Sequence, residues 1–213
     1  MLDRELGIVL KKSTTHQGRL CLIAESLGKT ELTVKGQQLM LERVGPGTLV
    51  SFSPKRYRMQ GWYTNELAIV APPVVKTADD CYWLHHILEL YYYFTVDGNP
   101  ESSLFQGLAG RLAVLSSGYI ERELTAAFNM LCVIDFLVQT GFYASPALEY
   151  YQRCFKNITA VGLPQSGLDL TAQGALLQIK HNELPALKRI ITTCLQGHPQ
   201  FAKFNTISFV YSC

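Results

Sequence analysis

The chain has 213 residues, 48% hydrophobic and 17% charged, with a formal net charge of +2. That length holds one compact domain or two small ones, and the composition excludes a disordered tail or a fibre. The charge is unevenly divided. Residues 1–71 carry ten Lys and Arg against six acids, a balance of +4, while the remainder carries nine against eleven, a balance of −2. A basic front third points to a polyanion site on one domain.

The longest apolar runs, such as Met130–Val138, are interrupted by Cys132 and Asp135 and fall short of a bilayer span. Met1–Glu5 carries Asp3, Arg4 and Glu5 and lacks the apolar core of a signal peptide, so the expected location is the cytoplasm, with no membrane partner. Cys21, Cys81, Cys132, Cys154, Cys194 and Cys213 are scattered and form no C-x-x-C pair. They read as buried free thiols, neither a disulfide scaffold nor a four-cysteine zinc site, and no cofactor is expected.

The first seventy residues alternate with the period of strands. Leu6, Ile8 and Leu10 form a first run that Lys11–Thr15 breaks; Leu20–Ala24 forms a second, ending at Leu27-Gly28-Lys29. Leu32 and Val34 alternate before Gly36, and Val44-Gly45-Pro46-Gly47 is a turn ahead of Thr48–Ser53. A last strand runs from about Asn65 through Leu67, Ile69 and Val70 to Pro72-Pro73. About five short strands between Gly/Pro turns predict a small closed barrel, because closure removes exposed edges.

Pro72-Pro73 marks the expected boundary between a barrel domain, residues 1–73, and a helical domain, residues 74–213. Asp79 or Asp80 is suited to cap a helix through the early nineties, with Leu84, Ile87, Leu88, Tyr91 and Phe94 on one face. Asp97-Gly98-Asn99-Pro100 ends it, a second helix covers about Glu101–Ser117, and a third about Tyr119–Thr140. The third presents Ile120, Leu124, Ala127, Leu131, Ile134 and Val138 as one stripe and meets Gly141 as its stop. Further helices are expected over Ala147–Asn157, Leu170–Lys180 and Glu183–Leu195, the last two capped by Asp169 and Asn182, with a loop over Ile158–Gly167. The fold class is therefore α+β, a small β-barrel followed by an all-helical domain.

Catalytic signatures are missing: there is no phosphate-binding Gly-rich loop, no G-x-S-x-G and no H-E-x-x-H. His85 and His86 are adjacent, diverge by about 100° on a helix and read as a surface pair. Asp79-Asp80 is more simply a cap and dipole partner than a catalytic pair. His16, His181 and His198 have no acidic or cysteine neighbour at ligand spacing. The expectation is a protein that is not an enzyme.

The basic residues carry the sharper hypothesis. Lys11 and Lys12 end the first strand, Arg19 begins the second and Lys35 follows the third, while Lys55, Arg56 and Arg58 surround Tyr57 near Trp62 and Tyr63. Cations that track phosphates, beside rings that accept stacked bases, give sequence-tolerant single-strand binding on an OB-like barrel. Lys11, Lys12, Arg19, Lys35, Lys55, Arg56, Tyr57 and Arg58 are the candidate DNA-binding residues. The alternative is a solvated hairpin in which Tyr57 and Trp62 cover the barrel end. In the helical part, Tyr91-Tyr92-Tyr93-Phe94 suits either a partner groove or hydroxyls facing water.

The order of features resembles the RecO family of bacterial recombination mediators over most of the chain. The resemblance is carried by Gly7-Ile8-Val9-Leu10, Lys35-Gly36, the strand into Pro72-Pro73, Leu84–Phe94, Phe136–Phe142 and the Phe204–Phe209 ending. It implies an N-terminal OB-fold and a helical C-terminal domain. It also implies binding of single- and double-stranded DNA, annealing of complementary strands, and loading of recombinase onto strands coated by single-strand-binding protein, in a nucleoid-associated setting. The implied partners are a RecR-type protein and the tail of the single-strand-binding protein. Many relatives carry a four-cysteine zinc module after the Gly-Phe turn. Here Cys154 falls near the first ligand position and the next cysteine, Cys194, is forty residues on, so the resemblance implies a zinc-free member. The competing class is a protein-interaction adaptor without DNA binding. Cations converging on one barrel face favour DNA; cations scattered over it favour the adaptor.

Overall fold

The computed structural model describes residues 4–13, 18–56, 61–118, 120–142, 146–160, 170–204 and 206. The chain is mixed α+β, a curled seven-stranded sheet followed by helices. It divides into two compact units, Met1–Pro73 with Leu88–Ala109, and Val74–Ile87 with Gly110–Cys213.

In the first unit, strands β1 (Glu5–Lys12), β2 (Arg19–Ala24) and β3 (Gly28–Val34) form an antiparallel meander. A short helix, α1 (Gln38–Arg43), precedes β4 (Leu49–Phe52), which returns to pair with β1. Next come β5 (Lys55–Arg56), β6 (Trp62–Thr64) and β7 (Leu67–Ala71). The order across the sheet is β5-β6-β3-β2-β1-β4-β7, with β3 and β6 parallel and the other neighbours antiparallel.

The expected five strands are thus seven, and the difference has local causes. The last expected strand is β7, and β5 and β6 before it were not expected; β6 is separated from β7 at Asn65-Glu66, where Thr64 Oγ1 donates to Glu66 O at 2.8 Å and accepts from Glu66 N at 3.0 Å. That bend lets β6 pair with β3 and β7 with β4, towards opposite sides of the order. The sheet therefore curls as a half-barrel in which a two-residue corner joins β6, next to the edge strand β5, to β7 at the other edge. It is not the hydrogen-bonded closed barrel that the periodicity predicts, since no ladder among the described residues links β7 to β6. Lys11 and Lys12 are the last two residues of β1, as expected, and they are paired to β2 across an irregularity. The pairing skips from Val9–Leu22 to Lys11–Cys21, so Leu10 is a bulge.

Inside the curl, Val9, Leu20, Leu22, Leu32, Val34, Val50, Phe52 and Leu67 pack with Leu41 of α1 and with Val44. Alternation along each strand sends the intervening residues to the outer face. Ile8 and Ile23, paired on that outer face, are also fully buried. Beside them Lys29 Nζ donates to Tyr92 O at 2.6 Å and to Thr95 O at 3.1 Å, and pairs with Asp97 at 3.0 Å. A lysine on the last carbonyls of a helix completes orphan acceptors and complements the dipole. Residues 88–109 thereby cover the Lys29 end of the outer face. Gly28, at φ +67°, lies so close to this segment that an added Cβ would stand 2.1 Å from Asn99 O.

Helix α2 (Ala78–Phe94) opens with a reciprocal cap. Asp80 Oδ2 accepts from Thr77 N at 2.9 Å, and Asp80 N donates to Thr77 Oγ1 at 3.1 Å. Thr77 is thus the cap and Asp80 its partner, where the aspartates themselves were the expected caps. Helix α3 (Ser102–Ser117) follows, then a 3₁₀ turn at Arg122–Leu124 and α4 (Thr125–Gln139). The third expected helix therefore begins later than Tyr119. It is also not amphipathic, because Ala127 through Leu137 are all buried. Gly141, at φ +68°, stops it as predicted: Phe142 N donates to Leu137 O and Gly141 N to Val138 O, the paired bonds of a Schellman end.

Helices α5 (Pro146–Ala160), α6 (Leu170–Gln178) and α7 (Leu184–Gln196) complete the second unit. The expected loop begins later than Ile158, which is still helical; its continuation and Asp169 lie outside the described residues. Asn182 caps nothing. It sits in a π-helical turn, Ile179–Glu183, that joins α6 to α7. Pro185, which lacks an N–H for the preceding turn, follows directly, and the wider turn absorbs that loss.

Candidate nucleic-acid interface

Register decides which basic residues meet. Arg19 pairs with Thr33, Thr33 with Tyr63, and Tyr63 with Lys55. Directly paired residues share a face, so these four form one row across β2, β3, β6 and β5, spanning about 14 Å at the usual strand spacing. Lys35, just beyond β3, adds its ammonium 4.4 Å from the centroid of the Tyr63 ring. Three exposed cations, Arg19, Lys35 and Lys55, thus surround one half-buried tyrosine on the part of the outer face nearest the sheet edge.

The neighbouring row is Lys11–Cys21–Glu31. Glu31 Oε2 lies 3.9 Å from Arg19 Nη1. Cys21 is a free thiol, pushed up to about 11 chiefly by burial, so it is neutral in this row. Lys11 Nζ sits 5.1 Å from the Tyr92 ring, which Lys29 also approaches at 5.0 Å.

The remaining candidates go elsewhere. Lys12 shares the side of Leu20 and Leu32, and its Nζ donates to Leu41 O at the end of α1. Arg56 pairs with Trp62 on the face opposite Lys55, with its guanidinium carbon 5.7 Å from the indole, and Trp62 packs on the barrel core. Adjacent strand residues point to opposite faces, so the Lys55-Arg56 pair is divided. Trp62 packs against the core inside the curl, while Tyr63 stands in the row of Lys55 and beside Lys35. Tyr57 and Arg58 lie outside the described residues. Thr33, Glu31 and the central role of Tyr63 were not evident in the sequence, because only the β3–β6 pairing reveals them.

The aromatic run of α2 has mixed fates. Tyr91 is 1% exposed, whereas Tyr92 and Tyr93 are half-buried and meet edge to face at 5.0 Å. The adjacent histidines are not a surface pair. His85 is exposed, but His86 is buried, shares a hydrogen bond with Thr206 Oγ1 at 3.0 Å and lies beside Trp83 and Phe204. Burial lowers its pKa to about 3. In the same unit the buried Arg111 donates from Nε to Asn129 Oδ1 at 2.9 Å, and burial raises the carboxyl of Asp135. Among the described residues no three His, Cys, Asp or Glu side chains converge as metal ligands, and no helix is long and apolar enough to cross a membrane.

No protein-family model matches this chain, and no curated protein matches it.

Proposed function

We propose that the first unit binds single-stranded DNA on the outer face of β2, β3, β6 and β5. The observation that carries this reading is the row Arg19–Thr33–Tyr63–Lys55 with Lys35 over the tyrosine ring. Each cation suits one phosphate, and the ring suits one base, whose stacking is worth about 1–3 kcal/mol whatever its identity. The topology supports the same reading. A three-stranded meander, a helix before β4, a return of β4 to β1 and a parallel β3–β6 pairing agree with an OB-like barrel. That fold uses its second and third strands and the connection after its fourth for oligonucleotides. Here that connection holds Lys55.

The wider role rests on the resemblance to RecO proteins. In this reading the chain is a recombination mediator of DNA repair, working by binding alone in the bacterial cytoplasm. It also binds duplex DNA, anneals complementary strands and helps load recombinase, with a RecR-type partner and the tail of single-strand-binding protein as its contacts.

The test is an anisotropy titration of labelled single-stranded DNA at several salt concentrations. Full phosphate contacts at Lys35 and Lys55 and a partial one at Arg19, which lies beside Glu31, give a log–log slope between about −1.4 and −2, at about −0.7 per contact on single strands. Absence of binding even at low salt would leave the protein-interaction adaptor as the better account.

A further inference from the structure

We propose that Glu31 is a specificity-determining residue of this face: its carboxylate keeps phosphates off the Lys11 side and confines a bound strand to the surface around Tyr63. The inference rests on the single-strand reading of the same site.

Glu31 stands on β3 two residues before Thr33 and shares its face, in the row next to the Tyr63 row. Its side chain is 73% exposed, so packing does not require it. It lies 3.9 Å from Arg19, at the end of the cationic group. Beyond it the outer face is covered, because Lys29 reaches Tyr92 O and Thr95 O and its row neighbours Ile23 and Ile8 are fully buried. Glu31 is thus an acid at the border between the open and the covered parts of one sheet face. A strand tracking from Lys55 through Arg19 toward Lys11 has to bring a phosphate past it.

The effect has a readable size. A phosphate drawn to Arg19 approaches the Glu31 carboxylate to about 6 Å, where repulsion in water weakens binding about three-fold. Glu31 also shares the charge of Arg19, so its neutralisation leaves more of that charge to a phosphate. The salt slope then steepens by up to about 0.7.

The experiment compares the full chain with its Glu31→Gln and Glu25→Gln forms, using labelled oligothymidine in salt-dependent anisotropy titrations. Glu25 is exposed in the β2–β3 turn, at the far end of these strands from Arg19, and its substitution changes net charge equally. The expected result is about three-fold tighter binding and a steeper slope for Glu31→Gln, with Glu25→Gln unchanged. Wild-type behaviour of Glu31→Gln overturns the proposal. Equal tightening by both variants overturns it too, since net charge then suffices. If neither the wild type nor Glu31→Gln binds at low salt, the single-strand reading itself fails and this inference falls with it.

Discussion

The ammonium of Lys35 stands 4.4 Å from the centroid of the Tyr63 ring. A cation over a ring at the protein surface gains about 0.5–1 kcal/mol, comparable to the weaker end of base stacking. A base therefore competes for the ring, and Lys35 is within reach of the phosphate that follows. Tyr63→Ala should weaken single-strand binding by about 1–3 kcal/mol, and Tyr63→Phe should retain most of the affinity. Titration with labelled oligonucleotide measures both. Wild-type affinity in Tyr63→Ala would mean that no base stacks there.

Lys55 and Arg56 are neighbours in sequence and opposites in space, one beside Tyr63 and one on Trp62. Lys55→Gln should weaken binding and reduce the magnitude of the salt slope by about 0.7. Arg56→Gln should leave DNA binding nearly unchanged and lower stability by about 0.5–1 kcal/mol, the worth of an exposed cation–aromatic contact. Salt titrations together with urea denaturation separate the two effects. A larger binding defect in Arg56→Gln would refute the assignment of the outer face.

The strands were legible because Leu20, Leu22, Leu32 and Val34 alternate, and the end of α4 because Gly141 supplies the positive φ that its stop needs. The site was legible only as a composition. A basic front third and a Lys-Arg-Tyr-Arg run are visible in sequence, but strand alternation splits the first two residues of that run between faces. Tyr63 meets Lys35 and joins the row of Arg19 through a parallel pairing between distant segments, and a single sequence carries no signal for that register. The Leu10 bulge and the Thr64–Glu66 corner are similarly hidden, since each depends on what the strand pairs with on either side. Helix α4 escaped the stripe expected of it because burial on all sides removes the polar face that gives amphipathic helices their period.

Gly28 makes a demand that no other residue meets. Its φ is +67°, and a Cβ there would stand 2.1 Å from Asn99 O and 2.5 Å from Asn99 C. Both groups are backbone, so relief requires moving the 97–100 segment away from Lys29, whose carbonyl accepts from Gly98 N at 2.8 Å. Gly28→Ala should cost more than about 2 kcal/mol, from left-handed strain plus the displaced contact. Gly98→Ala is the matched control, because its φ is +73° and nothing lies within 4 Å of its added Cβ. Thermal or urea denaturation should show the larger loss for Gly28→Ala; equal losses would mean that the close approach contributes nothing.

His86 links the stability of the second unit to pH. Its folded pKa is lowered from 6.5 to about 3 by burial, so the unfolded chain takes up a proton there that the folded chain refuses. Its contribution to stability is therefore full above pH 6.5 and is lost as pH falls toward 3, with a slope of at most about 1.4 kcal/mol per unit. His198, also lowered by burial, acts in the same direction, while Asp135, raised by burial, acts in the opposite one. The difference between wild type and His86→Gln isolates the histidine, since the other two groups are common to both. Urea denaturation at pH 7.5 and 5.5 should show the wild type losing about 1 kcal/mol more than His86→Gln over that interval. Parallel losses in both proteins would mean that His86 accepts its proton without leaving its contact with Thr206.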